Sequence, residues 1–159
     1  MNLRYLPTYL NDHLAAATAV TNLSARAASS NKDSEYGEVL AELHREIAED
    51  KATLEDIMDR LEIRKDHLKT TAAQAAELAG RLKPNAHLLS YSPLSRVVEL
   101  ETMALGVSGK LGLWRVLHSL ASTEDRLNPA EFDVLIERAE RQRETIETHR
   151  MRAARETFA

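Results

Sequence analysis

Apolar residues recur at spacings of three and four along most of this chain, the period of a helix with one buried face. Leu6, Leu10, His13, Ala17 and Val20 mark the first such segment, predicted over residues 6–28. The stretch SSNKDS, residues 29–34, is rich in residues that favour turns over helix. A second segment is expected over 35–61, capped by Ser34, with Leu40, Leu43, Ile47, Leu54, Ile57 and Leu61 down one side. An Ala-rich third helix is expected over 66–82, ending near Pro84, followed by an irregular connection over 83–94 with two prolines. The fourth helix is predicted from Ser95 to Leu120. The fifth opens at Asn128-Pro129-Ala130-Glu131, where Asn as cap, Pro at the first helical position and an acid at the third form a start signal. It is expected to run to Glu156.

At 1.5 Å per residue the first, second, fourth and fifth helices are each roughly 35–43 Å long. Amphipathic helices of matched length bury their stripes against one another, so the predicted class is all-α, a four-helix bundle in a single domain over residues 1–159. Short links make two antiparallel hairpins, one from each pair. The long connection between them, with an extra helix of its own, is the crossover of the ferritin-like topology. Through YLNDHL, SYSPLSRVVELE and GVSGKLGLWR the chain resembles bacterial ferritin-like four-helix-bundle proteins. That resemblance covers most of the chain and implies the fold, not an activity.

Carboxylate-bridged di-metal bundles of this topology carry Glu-x-x-His on two helices, because residues three apart share a face. The histidines here are His13, His44, His67, His87, His118 and His149, and three positions before them stand Leu10, Ala41, Arg64, Pro84, Arg115 and Ile146. The motif does not occur. No histidine has an acid three or four positions away on either side.

In ELHREIAED, residues 42–50, His44 and Glu46 point about 200° apart on a helix and cannot chelate one ion. Asp50 differs, since it falls on the stripe of Leu43, Ile47 and Leu54, with Glu46 one turn before it. His13 falls between Leu10 and Ala17, and Glu101 lies on the line of Val97, Val98 and Leu105. Gln142, Arg143 and His149 lie near the last helix's stripe of Leu135, Ala139, Ile146 and Ala153. Buried charge is costly unless paired or bound to metal. The favoured expectation is a polar network of His13, Asp50, Glu101 and Arg143. The alternative is a single iron or manganese ion on His13, Glu46, Asp50 and Glu101, against which an inward Arg counts electrostatically.

Other signals are weaker. GVSGKLG, residues 106–112, lacks the spacing, the Ser or Thr and the preceding strand of a phosphate loop. Its glycines suggest close approach of a neighbouring helix or a local bulge. Trp114, the only tryptophan, is expected in the core or at a subunit interface. Tyr91 and Lys110 are candidates for a ligand-binding loop with the crossover. The last helix pairs Glu137 with Arg141, Glu140 with Arg143 and Glu147 with Arg150, the pattern of a solvated face or a dimer seam.

Composition narrows the classes. The net charge of −4 gives no electrostatic reason to expect nucleic acid. With no Cys, disulfides, thiolate metal sites and cysteine nucleophiles are excluded. No apolar run reaches the roughly 18 residues that span a bilayer, so the expected compartment is the cytoplasm. The expected function is that of a structural or interaction protein, with a homodimer as the expected assembly. The alternative is a metal-dependent redox or metal-binding protein.

Overall fold

The computed structural model describes residues 4–66 and 91–159. Among these residues the chain is all-α, with helices α1 (Leu6–Ser30), α2 (Gly37–Arg60), α3 (Pro93–Leu120) and α4 (Pro129–Phe158) and no strand. None of them is long and apolar enough to cross a membrane. The extra helix expected over 66–82, and the connection up to residue 90, fall outside the described residues apart from Asp66, which is not helical.

Two helix starts differ from the sequence expectation, each for a local reason. Ser34 does not cap α2; its Oγ donates to the Asn31 carbonyl at 2.8 Å and accepts from the Tyr36 amide at 3.2 Å, closing a turn instead. The helix begins at Gly37, where an added Cβ would lie 2.6 Å from the Lys32 carbonyl oxygen. α3 begins at Pro93 and not Ser95, because Ser92 and Ser95 form a reciprocal capping box and Pro93 takes the first turn. The Asn128 cap on α4 is present, with its side chain accepting from the Ala130 amide at 3.1 Å.

Side-chain pairings give the helix directions. Across α1 and α3, Val20 faces Gly106, Arg26 meets Glu99 and Asn31 meets Arg96, so these helices are antiparallel. Across α2 and α4, Tyr36 meets Glu156, Asp50 meets Gln142 and Arg60 meets Glu131, again antiparallel. α2 and α3 are parallel, since Tyr36 lies against Arg96 and Asp50 against Lys110. α1 packs along α2, and α3 packs along both α4 and α1.

Leu10, Leu40, Leu54, Ile57, Leu100, Met103, Leu117, Phe132 and Ile146 are fully buried between the helices. Each buried side chain of this kind contributes about 1.5–3 kcal/mol by leaving water. Asn31 closes one end of the bundle. Its Nδ2 donates to the Ala27 carbonyl at 2.8 Å and to the Tyr91 hydroxyl at 2.6 Å, while its Oδ1 accepts from Arg96 Nε at 2.8 Å. It thereby ties the end of α1 to the start of α3.

The three glycines of α3 are not equivalent. A Cβ on Gly106 would lie 2.4 Å from Val20 Cγ2, so this glycine sets the approach of α1. Val20 is β-branched and held in a single χ1 well in a helix, so it yields poorly. A Cβ on Gly109 or Gly112 would meet nothing within 4 Å. Gly112→Ala is therefore expected to raise stability in urea denaturation by about 0.5–1 kcal/mol. Gly106→Ala is expected to lower it by about 1 kcal/mol, as overpacking outweighs the gain in helix propensity, and Val20→Ala in the same chain restores it.

Candidate mid-bundle site

Asp50 sits on the apolar stripe of α2 with Ile47 and Leu54 and is 2% exposed. Three side chains from two other helices close around it. Lys110 of α3 donates from Nζ to Asp50 Oδ2 in a short contact, and to Gln142 Oε1 at 2.6 Å. Gln142 of α4 donates through Nε2 to Glu46 Oε2 at 2.9 Å and to Asp50 Oδ2 at 3.2 Å. Arg138 of α4 places Nη2 2.6 Å from Asp50 Oδ1 and Nη1 3.1 Å from Glu49 Oε2.

The Arg138 contact with Oδ1 is one of charge, without the alignment of a hydrogen bond. Asp50 Oδ1 is therefore held by charge alone, and Arg138 Nε is buried without a hydrogen-bond partner among the described residues. The Lys110 amine is shifted below its ordinary value by burial, against the opposing pull of Asp50. Around the acid, Asp50, Glu46 and Glu49 meet Lys110 and Arg138, and Glu49 is also paired with Arg45. Such a network is chemically quiet: its acid has cations on two sides and its lysine is held by an acid and an amide.

A cavity adjoins the network on the side of α1. It has a volume of about 150 Å³, opens partly to solvent and is walled by α1, α2 and α3, with Ala17, Leu54, Gly109, Leu113 and Trp114 among the lining residues. Its polar wall groups are His13, Asp50, Lys51 and Lys110. Trp114 is completely buried, and its Nε1 donor has no partner among the described residues.

The structure separates several of the residues singled out in the sequence. His13 is half-buried on α1, stacked edge-on against Tyr9 at 4.5 Å, and burial shifts its imidazole below its ordinary value, opposed by Asp12. It reaches the cavity, not the ion network. Glu101 is exposed and pairs with Arg150 at 3.1 Å. Arg143 is exposed on the outer side of α4, and Asp50 is paired instead with Lys110 and Arg138. Glu46 and Asp50 do come together, through Gln142. Among the described residues no three His, Asp or Glu side chains gather closely enough to hold a metal ion.

Tyr91 and Lys110 are not neighbours. From Pro93 to Lys110 the helix rises about 25 Å, and Tyr91 belongs to the Asn31 end of the bundle. Its hydroxyl donates to Glu99 Oε2 at 2.9 Å, and burial first, with the nearby Glu99 charge, pushes the phenol up to about 12. On α4, Arg141 meets Glu137 and Arg150 meets Glu147, whereas Glu140 turns to Arg115 of α3.

Arg138 was missed in the sequence, although its spacing carried a signal. It stands three residues after Leu135 and four before Gln142, on one flank of the stripe that Arg143 flanks on the other. Which flank faces α2 is a tertiary fact. No family model matches this chain, and no curated protein or solved structure compared with it does either.

The two arginines give a direct contrast. Arg138→Ala is expected to cost about 3 kcal/mol in urea denaturation, since it strips a buried carboxylate of one cation. Arg143→Ala, at an exposed position, is expected to stay within about 0.5 kcal/mol of the parent.

Proposed function

We propose that this chain is a ferritin-like bundle that works without a metal centre, as a structural or interaction protein. Helix directions support the topology: α1 and α2 form one antiparallel hairpin, α3 and α4 another, and α2 runs parallel to α3. The observation that carries the functional reading is the occupation of Asp50 by Lys110 and Arg138 at mid-bundle.

A single iron or manganese ion on His13, Glu46, Asp50 and Glu101 does not fit these residues. A divalent ion entering beside Asp50 meets two positive groups already bound there, each opposing it by about 8 kcal/mol at about 4 Å in a medium of intermediate dielectric. Glu101, the third carboxylate of the metal alternative, is directed to Arg150 at the surface. Leu105 and Val116, three turns apart on the outward face of α3, are exposed apolar side chains that an interaction role would use.

The test is elemental mass spectrometry of the protein purified after growth with added iron and manganese. The expected content is below about 0.1 ion per chain, unchanged after attempted reconstitution, as the cations on Asp50 disfavour metal. One or two tightly held ions per chain, lost in Asp50→Asn, would overturn the reading.

A further inference from the structure

The outward face of α3 carries more apolar surface than a solvent-facing helix needs. Leu94, Val98, Leu105, Gly109, Gly112 and Val116 follow one another at spacings of three, four and seven, on one side of the helix. Leu94, Leu105 and Val116 are exposed there, Leu105 by 75%. α3 is also the most apolar of the four helices and the one whose apolar residues are least confined to a single side. A helix apolar all round is a helix covered all round. Its inward side packs on α1 and α4, and nothing among the described residues covers the outward one.

The relief of this face pairs a knob with a hole. Leu105 is the knob. One turn further on, Gly109 and, on α1, Ala16 are exposed and line the cavity of about 150 Å³, so it opens between these two helices. An apolar cavity of that volume holds a benzene-sized group, which is larger than the isobutyl side chain of leucine. A Cβ at Gly109 would meet nothing within 4 Å, so the approach to the opening is clear.

A knob and a hole four residues apart on one helix are self-complementary. With two copies of α3 antiparallel, a twofold axis at the level of Val107 exchanges positions 105 and 109, and by the same count 98 and 116. Charge follows the same axis. Glu101 and Arg115 both reach partners on α4, so they share one flank of the ridge, and each is about half exposed. Across the axis Glu101 stands opposite position 113 of the second copy, about 3 Å along the helix from Arg115. Unlike charges therefore meet once on each side of the axis.

The surface is large enough for a specific contact. From Leu94 to Val116 the ridge is about 33 Å long. With the near halves of α1 and α4 it is about 18 Å wide at ordinary helix spacing. That is about 600 Å² per copy, the lower end for specific interfaces.

We propose that two copies of this chain associate through α3, antiparallel, with Leu105 of each copy entering the cavity mouth beside Gly109 of the other and Glu101 of each meeting Arg115 of the other. The proposal rests on the interaction reading of the bundle and names the partner as a second copy. Metal content tests that reading without reference to assembly, so the two fail separately.

The test is sedimentation equilibrium of the full chain over a concentration series. The parent is expected at twice the chain mass, half dissociated on the order of 10 µM, as suits an interface of this size. Leu105→Glu is expected to raise the dissociation constant by about tenfold or more, by placing a charge in the apolar mouth, with the helical circular dichroism unchanged. Leu105→Ser stands as the second variant if the first does not fold. Val134→Glu replaces an exposed apolar residue on the flank of α4 that carries Arg138 toward α2, and is expected to leave association unchanged. Glu101→Arg is expected to weaken association about fivefold, and adding Arg115→Glu to restore it to within about twofold. A monomer at about 100 µM, tenfold above the expected constant, or a dimer that folded Leu105 variants leave intact, would overturn the proposal. Failure of Arg115→Glu to restore association would overturn the antiparallel register.

Discussion

The buried carboxylate of Asp50 is the constraint on which the middle of this bundle depends. A carboxylate removed from water must be neutralised or bonded where it lies, and here the compensation comes from two other helices. Lys110 ties α2 to α3, and Arg138 and Gln142 tie α2 to α4. Apolar stripes alone allow helices to slide and rotate with modest loss, whereas a buried ion network fixes one register. In this chain the network sits at a single level, and the parallel pairing of α2 with α3 passes through it.

A second constraint acts one turn before Lys110 along α3. Gly106 admits Val20 of α1 to a distance that no side chain would allow, while Gly109, one turn nearer the ion network, faces open space. Close contact at one glycine and a void at the next produce the cavity. Its wall therefore carries both the edge of the ion network and the indole of Trp114, with apolar surface between them.

The helical class, the number of long helices and most of the core were readable from periodicity. Asn128-Pro129 marked its helix start to the residue, because a cap is a local device. Ser34 misled, because the turn it closes depends on the Lys32 and Asn31 carbonyls approaching Gly37. Ser92-Pro93 is a local start signal of the same kind, with Ser95 completing the box. Asp50 was legible as an inward acid from its place on the stripe. Its partners were not, because an isolated Lys110 among glycines reads as a solvated lysine, and Arg138 and Arg143 flank the same stripe with equal claim. Pairing across helices depends on rotation about each axis, which spacing along one helix leaves open.

The most direct test of the Asp50 network is a double-mutant cycle on the full chain, with Asp50→Asn, Lys110→Met and the pair compared in urea denaturation. If the two groups form one buried unit, the single changes are strongly non-additive, with a coupling of about 2 kcal/mol or more. Additivity within about 0.5 kcal/mol would mean that the two do not interact in solution, and the central constraint would be lost.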